Sequence, residues 1–335
     1  MRIWHIFSRA IDNYGDIAIA IRLARQLASI PENHVTLFTE ISDTLNELLP
    51  AREVESYKFL DIDGDLSMAV PAPYIINVFN TEIPKCYMSE VSQKTKIFIY
   101  EYLSAESWVE DFHLKSSLNP NPLIEKVYFY PGFNEKTGGL LREKCIVKNF
   151  HRPSNINQTK RLQCSFFYYQ HTNINEFLEQ FVNIGYLCKA MIPSNIIDQK
   201  IANVLPSESS IFKFLSFEKY DNLLKSSDLN FVRGEDSLCR AIFSGKPFVW
   251  QVYVQENEAH VKKLESFIEM YFFDLEINLN AIVTSLFYEW NTGQLNEETL
   301  KSYLINYNDI SQFYASRSNH FISSKSAVDN LITYC

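Results

Sequence analysis

A chain of 335 residues with 46% hydrophobic and 21% charged residues has the balance of a globular protein long enough for two cores. Its net charge of −9 argues against nucleic-acid binding and favours a cationic partner, and no apolar run approaches the roughly 18 residues of a membrane span. The 6 cysteines (Cys86, Cys145, Cys164, Cys188, Cys239, Cys335) are scattered without a C-x-x-C pair, and the start soon turns polar, so the expectation is a cytoplasmic protein with reduced thiols rather than a zinc, disulfide-linked or secreted one.

Ile3 to Phe7 reads as a first buried strand. A polar turn, Ser8 to Asp16, follows, and Ile17, Ile21, Ala24 and Leu27 line one face of a helix expected over residues 17–28. This opening resembles half of a Rossmann-type unit, but it lacks Gly-x-Gly-x-x-Gly, and no Walker A sequence occurs in the chain. Strands are expected at 35–38, 73–79, 97–102 and 127–130, with helices after Ser42 and over 85–91. Asp61-Ile62-Asp63-Gly64-Asp65 places its glycine too early for a calcium loop and reads as a solvated acidic turn. The polar stretch 151–163 is the linker candidate. Beyond it, strands at 162–169, 186–192, 211–215, 229–232 and 248–252 alternate with helices at 174–182, 218–225, 237–243 and 259–272, and the chain reads as helical from Glu276. The alternation predicts an α/β protein of two doubly wound, mainly parallel units, 1–155 and 156–335, facing a cleft, with ligands outside the carboxyl ends of the strands.

The densest chemistry lies in Asn230-Phe231-Val232-Arg233-Gly234-Glu235-Asp236-Ser237. It reads as a strand end, a turn allowed by Gly234, and a helix start capped by Asp236 or Ser237. Helix starts attract anions, Arg233 offers a planar fork for phosphate oxygens, and Glu235 offers an acceptor for a sugar hydroxyl. The stretch is either a nucleotide-diphosphate clamp or an ion pair beside an ordinary cap. Asp12 and Asp16, flanking Asn13-Tyr14-Gly15, can bind a cation or act as a base, or else hold the turn and cap the helix. Glu101, just past a strand, is a further carboxylate at that edge or a surface charge. Phe166-Phe167-Tyr168-Tyr169 and Phe212-Lys213-Phe214 end strands, where rings sandwich a base or sugar or fill a core. Gln255 and His260 follow the strand from Phe248 to Tyr253 and either reach a ligand there or, as is more common for a lone histidine, serve the structure. The histidines show no H-x-x-H spacing and no Gly-x-Ser-x-Gly occurs, which argues against metal catalysis and a hydrolase nucleophile elbow.

Several of these strings, taken in order, resemble one family. They are Asp12-Asn13-Tyr14-Gly15-Asp16-Ile17 with Arg22-Leu23-Ala24-Arg25-Gln26-Leu27, Glu101-Tyr102-Leu103-Ser104-Ala105-Glu106-Ser107-Trp108, Tyr130-Pro131-Gly132-Phe133 with Thr137-Gly138-Gly139-Leu140-Leu141-Arg142-Glu143, the stretch from Asn230 to Ser237, and Gly245-Lys246-Pro247-Phe248-Val249-Trp250. Together they span nearly the whole chain and are similar to the bacterial protein-arginine rhamnosyltransferases that modify elongation factor P. The resemblance implies a GT-B fold, with an acceptor-binding domain followed by a donor-binding domain and the last helix packing back on the first. It implies an inverting, metal-independent transfer of rhamnose from dTDP-β-L-rhamnose to an arginine of elongation factor P, activating that factor for relief of polyproline stalling, with no cofactor, nucleic acid or membrane involved.

Carried over by motif, Asp12 and Asp16 take the catalytic carboxylate positions and, with Glu101, hold the acceptor. Asn13, Tyr14, Gly15, Phe167, Tyr169, Phe214, Arg233, Glu235, Asp236, Ser237, Tyr253 and Gln255 fall on the donor side. The chain departs from the family pattern at Ala18, where glycine is usual, at Gln170, where glutamate is usual, and in Trp250-Gln251-Val252-Tyr253-Val254-Gln255, where Trp-His-Ile-Tyr-Pro-Gln is usual. A glycosyltransferase with another acceptor and a non-catalytic nucleotide-sugar module are the other classes; loss of the Asp pair or of Arg233 would favour the module, and all three residues are present.

Overall fold

A computed structural model describes residues 1–9, 14–40, 57–66, 68–144, 146, 148, 154–169, 173–197, 201, 205–213, 215–254 and 259–335. The chain divides into two compact units, Met1–Ile146 with Ser324–Cys335, and Val147–Ser323. The division falls before the 155/156 boundary read from the polar linker, because the chain has already left the first sheet there. Among the described residues no helix is long and apolar enough to cross a membrane.

The first unit is built on strands β1 (Arg2–Phe7), β2 (Asn33–Thr39), β3 (Lys58–Asp61), β4 (Tyr74–Val78), β5 (Thr95–Tyr100), β6 (Ser116–Ser117) and β7 (Ile124–Phe129). They form one sheet in the order β3-β2-β1-β4-β5-β7-β6, parallel except for the β6–β7 pair. Helix α1 (Tyr14–Ala28) buries Ile17, Ile21, Ala24 and Leu27 as the 3.6-residue period requires. It begins ahead of the expected residue 17, because periodicity marks the buried stripe and not the first turn. Asp16 therefore lies inside that turn, where a carboxylate meets the positive end of the helix dipole. Helix α2 (Lys85–Ser89) sends Tyr87 into a cluster with Phe7, Phe38, Ile75 and Ile97. A further single turn, α3 (Trp108–Phe112), and the short strands β3 and β6 are too brief to show a period and were not expected. The helix expected after Ser42 lies outside the described residues.

Two histidines give this unit an acid sensitivity. Burial pushes the His5 imidazole, 2.6 Å from the Tyr87 hydroxyl, down to about 4 from 6.5. Burial likewise pushes His113, which accepts the Tyr130 N–H, down to about 4. An imidazole held neutral in the fold is protonated first in the unfolded chain, so its contribution is whole above about 6.5 and is lost as pH falls toward about 4. The unfolding temperature is expected to drop across that window, and His5→Gln to flatten part of the drop, as read by thermal melts at a series of pH values.

The second unit contains β8 (Arg161–Phe166), β9 (Leu187–Pro193), β10 (Ser210–Phe212), β11 (Leu229–Arg233) and β12 (Phe248–Gln251), all parallel, in the order β10-β9-β8-β11-β12. Its helices are α4 (Ile156–Thr159), α5 (Ile174–Asn183), α6 (Phe217–Ser226), α7 (Glu235–Ser244), α8 (Ala259–Tyr271), α9 (Ile277–Thr292), α10 (Glu297–Ile305) and α11 (Tyr307–Ser323). Trp290 of α9 is fully buried, with ring centres 4.2 Å from Phe231, 5.3 Å from Phe177 and 6.2 Å from Phe166. Asn230, the polar residue in an otherwise apolar strand, is also fully buried and is satisfied there: its side-chain oxygen accepts from Ser165 Oγ at 2.6 Å, and its Nδ2 donates to the Leu224 carbonyl at 3.0 Å.

Helix α12 (Ala327–Thr333) belongs to the first unit. Ala327 N–H donates to the Leu140 carbonyl and Asn330 Nδ2 to the Gly138 carbonyl. Gly139 has φ +78°, and a Cβ there would stand 2.7 Å from the Lys325 carbonyl oxygen, so only glycine allows this approach. Arg22, buried in α1, pairs with Glu143 at 2.6 Å. The Gly138–Glu143 string thus ties α1 and α12 to the first sheet.

Candidate active site

In both sheets the strand order reverses beside the first strand, between β1 and β4 and between β8 and β11. Ligands of open α/β sheets sit at such reversals, outside the carboxyl ends of the strands. In the second unit that edge carries the exits of β8, β11 and β12. Gly234 follows β11 with φ +71° and is the N-cap of α7, and no side chain caps the helix. Neither Asp236 nor Ser237 is the cap expected from sequence. Gly234 takes the turn abruptly, so the helix starts at Glu235 and both residues lie in its first turn. The Trp250 indole N–H donates to the Gly234 carbonyl at 3.1 Å and fixes the turn from β12.

Arg233 is held on two sides. Its NH1 donates to the Tyr168 carbonyl at 2.8 Å, and its Cζ lies 4.8 Å from the centre of the Tyr169 ring. Tyr169 meets the exposed ring of Tyr253 edge-on at 5.5 Å, and its N–H donates to Gln251 Oε1 at 2.6 Å. Phe167, expected inside a strand, lies just past the end of β8 and stands edge-on to Tyr220 at 4.7 Å. Phe167, Tyr169, Arg233, Glu235, Asp236, Ser237 and Tyr253 are thus grouped at one edge, while Phe214 and Gln255 lie outside the described residues.

The two carboxylates in the first turn of α7 would repel an anion if left uncompensated. Glu235, however, pairs with Lys263 of α8 at 2.8 Å, and Asp236 lies 3.9 Å from the buried guanidinium of Arg240. Arg233 then stands as the added positive charge beside the helix start. Sequence reasoning missed Lys263 and Gln251. The Lys263–Glu235 pair is a tertiary contact between two helices with no local signature. Gln251 did carry a signal, a polar residue at the end of an apolar strand.

In the first unit Asp16 is buried at 8% exposure, and Gly15 precedes it at the start of α1. Asp12, Asn13 and the side chain of Tyr14 lie outside the described residues. Just ahead of them Arg9 pairs with Glu40 at 2.9 Å and with Asp63, anchoring the exit of β1 to the segments after β2 and β3. The Arg9 guanidinium lowers the Asp63 pKa, and Asp61 accepts the Asp63 N–H, so the acidic turn expected from sequence is a turn tied by an ion pair. Among the described residues no group of three His, Cys, Asp or Glu side chains is placed to hold a metal ion. Glu101 directly follows β5, half-buried, with its N–H on the Phe129 carbonyl at 2.9 Å. The neighbouring Tyr102 ring stacks on Phe79 at 4.0 Å, and Phe79 and Asn80 hold φ values of 52° and 53° at the exit of β4. Such left-handed non-glycine residues are uncommon and concentrate at functional edges. Asp16, Glu101 and this aromatic pair occupy the same carboxyl edge.

Solved structures share this fold along the length of the chain. The structural basis for EarP-mediated arginine glycosylation of translation elongation factor EF-P matches at a TM-score of 0.65 with 20% identity, covering 100% of this chain and 98% of that one. The glycosyltransferase VinC in complex with dTDP matches at 0.54 with 11% identity, covering 99% and 98%. The fold is therefore of the GT-B glycosyltransferase class, with two Rossmann-like units. By sequence, the protein-arginine rhamnosyltransferase of Pseudomonas putida is 29% identical over 326 residues, 86% of each chain, and that of Pseudomonas aeruginosa 29% over 332 residues, 88% of each. Residues 4–335 match the family model of the Elongation-Factor P (EF-P) rhamnosyltransferase EarP. The chain belongs to that family, and its activity is that of a protein-arginine rhamnosyltransferase.

Proposed function

We propose that this enzyme moves L-rhamnose from dTDP-β-L-rhamnose to an arginine side chain of elongation factor P, with inversion at the sugar carbon and without a metal or other cofactor. The observation that carries the donor half is the preset Arg233 fork beside the uncapped start of α7. As the bond from sugar C1 to the diphosphate oxygen breaks, negative charge grows on the leaving group. Arg233 and the first-turn amides near Asp236 and Ser237 meet that charge with no reorganisation. Glu235, its charge balanced by Lys263, retains acceptor capacity for a deoxyribose hydroxyl. Phe167, Tyr169, Phe214, Tyr253 and Gln255 are assigned to the base and sugar of the donor, as are Asn13, Tyr14 and Gly15 by the family resemblance.

The acceptor guanidinium is protonated and has no lone pair to offer. Asp12, Asp16 and Glu101 bind it as a cation. One Asp takes a proton as the new C1–N bond forms, so dTDP leaves with the electron pair of the broken bond and the product guanidinium keeps its charge. The net charge of −9 suits a cationic acceptor segment.

Mass spectrometry of elongation factor P incubated with the enzyme and dTDP-β-L-rhamnose is expected to show one added deoxyhexose on an arginine; an unmodified acceptor at full enzyme turnover of another donor would overturn this reading. Arg233→Ala is expected to lower kcat/KM for the donor by roughly 10- to 100-fold through loss of charge-assisted hydrogen bonds. Unchanged dTDP affinity in that variant, measured by titration calorimetry, would remove Arg233 from the donor site.

A further inference from the structure

We infer that Gln251 is a positioning residue for the donor site, acting on Arg233 through one shared peptide group; the inference rests on the donor-site reading above. Gln251 ends β12, in register with Arg233 at the end of β11, and is fully buried. A buried amide side chain at a strand end needs a partner, and here the partner is a backbone N–H beyond the end of the sheet ladder. The last ladder-type bond on that side is Phe167 N–H to the Phe231 carbonyl. The next peptide of consequence, between Tyr168 and Tyr169, is gripped at both ends. Its carbonyl accepts from Arg233 NH1 at 2.8 Å, and its N–H donates to Gln251 Oε1 at 2.6 Å.

This geometry couples the two side chains. A flip of the peptide would lose both bonds, and polarisation of the group by one partner strengthens its bond to the other. The same peptide sets the direction in which the Tyr169 ring leaves the backbone, and Arg233 lies over that ring at 4.8 Å. Gln251 is itself anchored. Asn291 of α9 donates from Nδ2 to the Trp250 carbonyl at 2.9 Å and accepts the Val252 N–H at 2.9 Å, pinning the backbone on either side. The exit of β12 therefore locks the phosphate-facing turn through Trp250 and the aromatic shelf through Gln251. Gln251 touches neither the diphosphate nor the sugar; it preorganises the residue that does.

The test is calorimetric titration of the full-length enzyme with dTDP, using Gln251→Met, which keeps the length and removes the acceptor, and Gln251→His, whose ring accepts only when neutral. Gln251→Met is expected to weaken dTDP binding by roughly tenfold, the cost of leaving a buried N–H unmet. In an Arg233→Ala background the same substitution is expected to add nothing, because both act through one peptide. Gln251→His is expected to bind nearly as the unmodified enzyme above about pH 7 and to fall behind it as pH drops below about 6.5, when the imidazole takes a proton. That ratio is read within one folded protein, so it stands even where the methionine variant is unstable. Binding by Gln251→Met within about twofold of the unmodified enzyme, full additivity with Arg233→Ala, or a Gln251→His ratio that is flat with pH would each overturn the inference. Failure of the unmodified enzyme to bind dTDP would instead overturn the donor-site reading, and the inference with it.

Discussion

Asp16→Asn is expected to lower kcat for arginine rhamnosylation by roughly 10²- to 10⁴-fold, the range for loss of a positioned general base. The substitution keeps the shape of a side chain that is 8% exposed and removes only its ability to carry charge and take a proton. Affinity for dTDP should hold, because Asp16 is proposed to act on the acceptor and not on the donor. The fold should hold as well: a first-turn carboxylate is worth about 0.3–1 kcal/mol to its helix, far less than the effect on rate. Single-turnover measurement at saturating acceptor separates the two roles. A variant that binds the acceptor weakly but turns over at full rate once saturated would show that Asp16 holds the guanidinium without taking its proton, and the base would then be Asp12.

The second large effect is on stability. Trp290→Ala should cost about 3–5 kcal/mol, the range for removing a large buried aromatic. Trp290 is fully buried and packs against Phe166 at the end of β8, Phe231 in β11 and Phe177 in α5. The cavity would open beneath the two strands that carry Tyr168, Tyr169 and Arg233, so donor affinity should fall with stability. Trp290→Phe should be much milder. Among the described residues the indole N–H of Trp290 has no hydrogen-bond partner, so the smaller ring gives up packing and no hydrogen bond. Urea unfolding followed by circular dichroism reads both variants. An alanine variant with an unchanged midpoint would show that the two strands are held by other contacts.

The doubly wound plan was legible because both signals are local. Apolar runs of strand length alternate with stretches of helical period, and each is readable within a dozen residues. Arg233, Gly234 and Glu235 were legible for a similar reason: a strand end, a glycine and a charged helix start sit side by side in the chain. What failed at close range was detail at element ends. Asp236 and Ser237 looked like caps, yet Gly234 starts the helix sooner, and Asp16 likewise fell inside α1. Capping depends on one backbone angle that residue type only biases.

Sequence by itself determined two parallel α/β units, the family, and the arginine, aspartate and glutamate residues on which the chemistry is proposed to rest. Composition, periodicity and contiguous motifs carry that information. Only the tertiary structure decided what compensates and orients them: Lys263 against Glu235, Arg240 against Asp236, and the single peptide gripped by Arg233 and Gln251. It also decided that the Gly138-Gly139 string receives the returning helix α12. With the exception of Asp236 and Arg240, one helical turn apart, these partners come from different elements. Nothing in the local sequence reports such contacts, because the apolar faces that bring the elements together constrain only which side of each is buried, and not which polar groups meet at the edge.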